Sequence, residues 1–239
     1  MAKKEICVGE LRYTISYDVV NAHHENVIVF LHGWGSNKAL MKQAFGPTLQ
    51  AYKHVYVDMP GFGNSSVIKP LYTQDYAHIM QLFFEALQIT PYAIFGHSFG
   101  GKVATLLKPH RMVLLSSAGI VVPKSFKIRA KIAFFKTFKS FVPKRFYRFF
   151  ASKDVEGMSQ VMYETLKNVV NEDFRGFFQA CQAQTAIFWG IDDRATPLSS
   201  GEMIAHLIQK SAFYPLQGDH FFFLKQAKTI ESTLKDLGY

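Results

Sequence analysis

Gly96-His97-Ser98-Phe99-Gly100-Gly101 directly follows Tyr92-Ala93-Ile94-Phe95, a run that is typical of a buried strand. A serine between two close glycines at a strand-to-helix transition is the sequence form of a nucleophile elbow. This turn is so tight that the serine takes an unfavourable backbone conformation. A side chain at either flanking glycine would collide with neighbouring chain. The pattern therefore predicts that the Ser98 hydroxyl stands clear of a sheet and that the next backbone N–H faces a substrate oxygen.

Short apolar runs alternate with helix-like stretches on both sides of this turn. The predicted strands are residues 11–17, 27–31, 54–58, 92–95, 112–115, 186–189 and 213–216, with residues 7–10 as a further hairpin arm. Helix-like stretches at residues 73–87 and 101–107 separate some of them. Because strands that alternate with helices pair in parallel through right-handed crossovers, the chain predicts an α/β fold with a mostly parallel central sheet.

The alternation breaks after Gly119. From about residue 121 to residue 182 the pattern predicts consecutive helices without clear strands, and strand character returns at Ala186. The sequence therefore predicts a core built from residues 1–119 and 183–239. Residues 120–182 are expected to form a helical cap over the carboxyl edge of the sheet.

The net charge of +9 is concentrated in the predicted cap. Ten Lys or Arg residues and no Asp or Glu lie between Lys124 and Lys153, whereas the rest of the chain carries 17 basic and 18 acidic residues. Aromatic residues are interleaved with these charges, so one interpretation is a solvated basic face over an ordinary apolar cap. The other is a docking surface for an acidic partner, namely an acyl carrier protein, a coenzyme A ester or an anionic lipid. No recognised nucleic-acid-binding motif accompanies the charge, so nucleic acid is not an expected partner.

Other residue patterns argue against several alternative classes of protein. Cys7 and Cys181 form no disulfide framework, and neither they nor the nine histidines have metal-ligand spacing. No Gly-x-x-x-x-Gly-Lys phosphate loop, signal peptide or membrane-length apolar run occurs. We therefore expect a cytoplasmic protein that needs no metal and no cofactor.

A serine nucleophile needs a base that is itself oriented by a third group, and candidates follow two later strands. Asp192 and Asp193 lie on the loop after the strand at residues 186–189, and His220 lies on the loop after the strand at residues 213–216. Because the carboxyl ends of parallel strands meet at one edge of the sheet, these loops are expected to lie close to Ser98.

The loop Leu31-His32-Gly33-Trp34-Gly35 follows the first buried strand and supplies the remaining element. Acyl transfer needs backbone N–H donors aimed at the developing oxyanion, and a glycine-rich turn exposes them. We assign this role to the N–H groups of Trp34 and Phe99. His32 is expected to brace its loop by hydrogen bonding, and Asp58 is expected to be structural.

Five motifs in this order resemble those of α/β-hydrolases with a helical cap. They are His-Gly-Trp-Gly at 32–35, Asp-Met-Pro-Gly-Phe-Gly-Asn-Ser at 58–65, Gly-His-Ser-Phe-Gly-Gly at 96–101, Trp-Gly-Ile-Asp-Asp-Arg-Ala-Thr-Pro at 189–197 and Gly-Asp-His at 218–220. The resemblance implies an α/β-hydrolase fold and a catalytic triad of Ser98, Asp193 and His220. It selects Asp193 over Asp192 because the usual acid is the third residue after the glycine and four before the proline.

The nucleophile narrows the reaction that this resemblance implies. Dehalogenases and epoxide hydrolases of the superfamily carry aspartate where this chain has Ser98. Carbon–carbon hydrolases of ring-cleavage products usually have Gly-Asn-Ser at the elbow and often a tryptophan after the histidine, where this chain has His97 and Phe221. Gly-His-Ser with Trp34 is closer to the serine carboxylesterases, including the pimeloyl-acyl carrier protein methyl ester esterases.

The sequence therefore predicts hydrolysis of a small-molecule or carrier-bound carboxylic ester through an acyl-enzyme. A thioesterase or a carbon–carbon hydrolase would use the same residues, and a non-catalytic binding module could keep the same shell. These alternatives remain open at this point.

Overall fold

An eight-stranded sheet forms the centre of the protein, seen in a computed structural model that describes residues 1–121 and 158–239. The strands are β1 Ala2–Val8, β2 Leu11–Val20, β3 Val27–Leu31, β4 Lys53–Val57, β5 Pro91–His97, β6 Arg111–Leu115, β7 Gln184–Gly190 and β8 Ser211–Leu216. Their order across the sheet is β1-β2-β4-β3-β5-β6-β7-β8. The β1–β2 and β2–β4 pairs are antiparallel, and all the other neighbouring strands are parallel. The expected mostly parallel α/β sheet is confirmed.

Helices cover both faces of this sheet. Those in the described residues are α1 Lys38–Phe45, α2 Thr73–Ala86, α3 Phe99–Leu106, α4 Gln160–Val169, α5 Arg175–Gln179, α6 Leu198–Leu207 and α7 Phe223–Asp236. Alternate residues of β3 enter different hydrophobic clusters, Val29 with α2 and α3, and Phe30 with α1 and α7. Because successive strand residues point to opposite faces, the two clusters lie on opposite sides of the sheet. The fold therefore has three layers, with the sheet buried in the middle.

The register of the parallel strands brings their carboxyl ends together. Leu31 pairs with Gly96 across β3 and β5, and Leu115 pairs with Phe188 across β6 and β7. The loops that leave these strands therefore emerge side by side at one edge, which is where parallel sheets place their sites.

Helix α3 begins two residues earlier than the sequence pattern predicts. The two glycines at 100 and 101 suggested a start at Gly101, but the helix begins at Phe99. Glycine lowers helix propensity, which is why the pattern predicted a later start. Gly100 and Gly101 nevertheless lie in the first turn of α3, because close packing excludes a side chain at both positions.

The described part of the predicted cap comprises residues 120–121 and 158–182, and it contains α4 and α5 but no strand. Helix α4 is tied to the segment that precedes α2. The Leu71 N–H donates to Thr165 Oγ1 at 3.1 Å, and Asn168 Nδ2 donates to the Leu71 carbonyl at 3.3 Å. The basic stretch between Lys124 and Lys153 lies outside the described residues, and the division into core and cap stays a prediction.

A buried lysine joins α3, the helix that follows Ser98, to residues 169–174 of the predicted cap. Lys102 Nζ donates to the Val169 carbonyl at 2.7 Å and to Glu172 Oε2 at 2.8 Å, and lies 4.5 Å from the centroid of the Phe174 ring. Burial lowers the Lys102 pKa, and Glu172 opposes that shift. Removing one member of such a pair leaves an unpaired buried charge, so Lys102 fixes where this segment returns to the core.

Within residues 1–121 and 158–239, each helix is too short or too polar to cross a membrane.

Candidate active site

Ser98 lies at the turn between β5 and α3 in a strained backbone conformation, with φ 50° and ψ −113°. Three backbone hydrogen bonds hold this turn in place. The Ser98 N–H donates to the Leu115 carbonyl at 3.1 Å, and the Ser98 carbonyl accepts from the N–H groups of Gly101 and Ala118, both at 3.0 Å. Non-glycine residues adopt such a conformation only where the surroundings enforce it, and such positions cluster at functional sites.

The glycines around Ser98 permit the close packing that this turn requires. A Cβ atom at Gly96 would lie 2.5 Å from the Gly100 carbonyl oxygen, and one at Gly100 would lie 2.4 Å from the Leu31 carbonyl oxygen. Both contacts are with backbone atoms, which no change of side-chain rotamer relieves. The geometry thus agrees with the collision expected from the sequence.

His220 and Asp193 meet at the same edge of the sheet. His220 Nδ1 donates to Asp193 Oδ2 at 2.7 Å. Asp193 Oδ1 accepts the backbone N–H groups of Ala195 at 2.8 Å and Thr196 at 2.9 Å, and the Thr196 hydroxyl donates to Oδ2 at 2.8 Å. Burial by itself would raise the Asp193 pKa, but the hydrogen bonds from His220 and Thr196 outweigh it and lower the pKa to about 2. Asp193 is therefore a carboxylate that keeps the proton of His220 on Nδ1, which leaves Nε2 free to accept one.

Asp192, the alternative acid, is exposed, and its backbone N–H donates to the Gly218 carbonyl at 3.0 Å. The side chain that reaches His220 belongs to Asp193. The sequence analysis did not predict a role for Thr196, although Thr196 lies within the motif at residues 189–197. The signal was a hydroxyl residue three positions after the acid, a spacing that is typical of local side-chain bonds to turn N–H groups.

The loop that carries Trp34 is held from inside by His32. His32 Nδ1 donates to the Gly33 carbonyl at 2.7 Å, and the Met59 N–H donates to His32 Nε2 at 3.1 Å. The bracing role expected of His32 is thereby confirmed. In the part of the chain that the structure describes, the backbone N–H groups of Trp34 and Phe99 have no hydrogen-bond acceptor.

A buried ion pair fixes the far end of the same loop. Lys38 Nζ donates to Asp58 Oδ2 at 2.6 Å and to Ser16 Oγ at 2.9 Å. The Asp58 carboxylate also accepts the backbone N–H groups of Lys38 at 2.8 Å and Asn64 at 3.0 Å. Asp58 therefore ties the start of α1 to the turn after β4, which is the structural role expected of it.

Four aromatic rings, which we call the aromatic wall, pack together next to the Ser98 turn. They belong to Trp34, Phe62, Tyr76 and Phe99, and all but Trp34 are buried. They pack edge to face, with centroid separations of 4.9 Å for Trp34 and Phe62, 5.5 Å for Trp34 and Phe99, and 5.0 Å for Tyr76 and Phe99. This cluster makes the surroundings of the Trp34 loop apolar.

Among residues 1–121 and 158–239, no group of three or more His, Cys, Asp or Glu side chains is placed to hold a metal ion. A groove of about 1300 Å³ lies at the opposite edge of the sheet, where Gln184 and Ser211 begin β7 and β8. It includes none of the predicted site residues.

The chain belongs to the alpha/beta hydrolase family, whose model matches residues 28–230. It is 28% identical over 216 residues to the biotin biosynthesis bifunctional protein BioHC of Teredinibacter turnerae, a match that covers 79% of this chain and 36% of that protein. It is 36% identical over 91 residues to a pimeloyl-[acyl-carrier protein] methyl ester esterase of Photobacterium profundum, covering 37% of this chain and 34% of that protein. The chain thus spans about a third of the length of these two relatives.

A crystal structure of a hydrolase from Pseudomonas aeruginosa superposes with a TM-score of 0.77 at 18% identity and covers 99% of this chain and 98% of that one. At this identity the likeness shows the fold. The α/β-hydrolase fold expected from the sequence is confirmed, and membership of the family supports hydrolytic chemistry.

Two buried histidines near the site predict how stability depends on pH. Burial lowers the pKa of His32 from 6.5 to about 4 and that of His97 from 6.5 to about 3. The unfolded chain therefore binds more protons below pH 6.5 than the folded one, so the free energy of unfolding falls as the pH is lowered. We expect a loss of about 2 kcal/mol for each histidine at about pH 5.

Urea unfolding at neutral pH and at about pH 5 measures this loss. His97→Gln should reduce the loss by about 2 kcal/mol, whereas the control His78→Gln should not reduce it, because His78 is exposed. An unchanged loss in a variant that lacks both His32 and His97 would contradict the neutral state of these two side chains in the fold.

Proposed function

We propose that this protein is a serine hydrolase that cleaves a carboxylic ester through an acyl-enzyme. The observation that carries the proposal is the 2.7 Å hydrogen bond from His220 to a buried carboxylate, on loops that share an edge with the strained Ser98 turn. His97, which precedes Ser98 in the chain, packs against His220 with ring centroids 4.7 Å apart. This contact supports the pairing of His220, as the base, with Ser98, as the nucleophile.

In this mechanism the Ser98 hydroxyl attacks the ester carbonyl while His220 Nε2 takes its proton. The Trp34 and Phe99 N–H groups stabilise the negative oxygen of the tetrahedral intermediate. His220 then gives the proton to the leaving alcohol, and the acyl group stays on Ser98. Water attacks this acyl-enzyme with His220 as the base, which releases the acid and restores the hydroxyl. Asp193 keeps His220 in the useful tautomer and stabilises its charged form.

The aromatic wall supports an apolar acyl group as the part of the substrate next to Ser98. A carrier-bound acyl ester is the finer proposal, since the esterase relative is named for an ester on an acyl carrier protein. Acyl carrier proteins are acidic, and the stretch between Lys124 and Lys153 carries ten basic residues. We propose that this stretch attracts the acidic carrier.

A chain-length series of p-nitrophenyl esters, from acetate to decanoate, tests the ester chemistry on purified protein. We expect turnover with a preference for a medium apolar chain, and only background hydrolysis by Ser98→Ala. The preferred length would measure the size of the acyl site. If no ester is turned over while a thioester or a ring-cleavage product is, the ester assignment is wrong. If none of these substrates reacts, the binding-module alternative gains support.

Salt dependence tests the carrier proposal. When salt rises from about 50 mM to about 500 mM, we expect kcat/KM for a carrier-bound ester to fall about tenfold, and that for a neutral p-nitrophenyl ester to stay within about twofold. Lys136→Glu with Lys139→Glu should reproduce the loss at low salt. The matched control is Lys225→Glu with Lys228→Glu, because both residues are exposed on α7. Equal salt sensitivity for the two substrates would overturn the proposal.

A further inference from the structure

His97 connects the turn that carries Ser98 to the main chain of His220. Its side chain is buried, with 1% of its surface exposed. Its Nε2 lies 3.0 Å from the His220 carbonyl oxygen, and the two imidazole rings have centroids 4.7 Å apart. His97 therefore contacts both the side chain and the backbone of the proposed base.

The chemistry of this contact determines the tautomer of His97. A carbonyl oxygen only accepts hydrogen bonds, so Nε2 carries the proton and Nδ1 does not. Burial lowers the His97 pKa to about 3, which keeps the ring neutral at ordinary pH. Among the described residues Nδ1 has no hydrogen-bond partner, so the bond to the His220 carbonyl is the only one that the ring makes there. An apolar ring could fill the same space, and it would leave no buried nitrogen without a partner. What the imidazole provides that an apolar ring does not is the Nε2–H hydrogen bond to the His220 carbonyl.

Two further parts of the protein, the loop at Gly33 and the side chain of Phe223, pack against the His97 ring. A Cβ atom at Gly33 would lie 2.9 Å from His97 Nδ1 and 3.1 Å from Ser98 Cβ, so the loop that carries Trp34 rests against both residues. The Phe223 ring packs on His97 with centroids 4.7 Å apart. A ring confined in this way has a fixed position relative to Ser98.

We propose that His97 is a positioning residue that sets the distance between the base and the nucleophile. It acts through His220: Asp193 orients the imidazole, and His97 holds the main chain that carries it. This inference rests on the proposed function, in which His220 takes the proton of Ser98. Without the His97 Nε2–H bond, the loop after β8 keeps the hydrogen bond from His220 to Asp193. It loses the hydrogen bond that connects the His220 main chain to the turn that carries Ser98.

Three variants at position 97 and one control elsewhere test this role. His97→Leu removes the donor, His97→Gln supplies an amide donor at about the reach of Nε2, and His97→Asn supplies the same amide on a side chain one bond shorter. The control is His54→Leu. His54 is also fully buried with a backbone carbonyl partner, Leu49, at 3.0 Å, but its ring packs against Phe30 and Tyr56, with centroids 5.2 Å and 5.6 Å away. For each variant we measure kcat and KM on the best ester, the thermal midpoint, and the proton NMR resonance of His220 Nδ1–H.

We expect His97→Leu to lower kcat about 30-fold with little change in KM, since a small misplacement of reacting groups slows the chemical step. The His220 resonance should shift or broaden in the same variant. His97→Gln should restore most of kcat and most of the wild-type His220 resonance, and His97→Asn should restore less of each. His54→Leu should lower the thermal midpoint and leave kcat and the resonance unchanged. If His97→Leu does not fold, the comparison of His97→Gln with His97→Asn decides the question.

Two results would overturn the inference. One is an unchanged resonance and kcat in the variants that lack the donor. The other is an equal loss in His97→Gln and His97→Asn that follows their thermal midpoints. If the wild-type protein turns over no ester, the proposed function fails, but the NMR comparison still decides whether His97 positions His220.

Discussion

Ser98→Ala lowers kcat on the best ester by about 10⁵-fold or more and leaves the fold intact. The loss is this large because the hydroxyl is the atom that forms the acyl-enzyme, and no neighbouring group replaces it. The fold survives because the three hydrogen bonds of the turn use backbone atoms of Ser98 only. Alanine also carries a Cβ, so the strain at φ 50° is unchanged. Steady-state kinetics together with thermal unfolding measure both halves of this expectation.

Ser117→Ala is a suitable control for this experiment. Ser117 is fully buried close to α3, and its hydroxyl donates to the Ala118 carbonyl at 2.9 Å. We expect its activity to stay within about threefold of the wild type, because it does not touch the reacting atoms. Labelling by a fluorophosphonate should follow the same pattern, with only Ser98→Ala unlabelled. Near-normal turnover by Ser98→Ala would show that Ser98 is not the nucleophile.

Asp193→Asn lowers kcat by about 10⁴-fold, the second largest effect that we expect. The side-chain oxygen of asparagine still accepts the N–H groups of Ala195 and Thr196, so its NH₂ group faces His220 Nδ1. An NH₂ group only donates, which drives the histidine proton to Nε2. In that tautomer His220 no longer accepts the proton of Ser98.

Asp192→Asn is the matched control, because it makes the same chemical change one residue away on an exposed side chain. We expect wild-type activity within about twofold. The pair of variants also tests the choice between the two acids. If Asp192→Asn loses activity and Asp193→Asn keeps it, the acid is wrongly assigned.

The loops of the site and their order could be predicted from the sequence, because each follows a run of apolar residues that forms a strand. Parallel strands bring their carboxyl ends to one edge regardless of the details of packing. This property of parallel strands is enough to predict that Ser98, the acid loop and His220 lie at one edge of the sheet. The tight glycine turn was likewise a local property, since it depends on the absence of two Cβ atoms.

Contacts between distant residues were beyond this kind of reasoning. Residues 38 and 58 are both polar in sequence, yet their side chains form a buried ion pair with 8% and 1% exposure. Residues 102 and 172 form another ion pair, with 3% and 25% exposure, which joins α3 to the segment that precedes α5. Local patterns predict charged residues to be exposed, and only a partner brought close by the fold makes their burial favourable.

The sequence by itself determined the class of fold, the nucleophile turn and the two loops from which a base and an acid could come. The family resemblance had selected Asp193 over Asp192, and the tertiary structure supplied the physical reason: two N–H groups and a hydroxyl turn the Asp193 carboxylate inward, towards His220. The tertiary structure also decided that His97 holds the main chain of His220. One physical reason explains why the sequence determines some of these features and the tertiary structure determines the others. Periodicity and glycine content act over a few residues and can be seen in the chain, whereas a hydrogen bond depends on distances of about 3 Å that exist only after distant segments have packed.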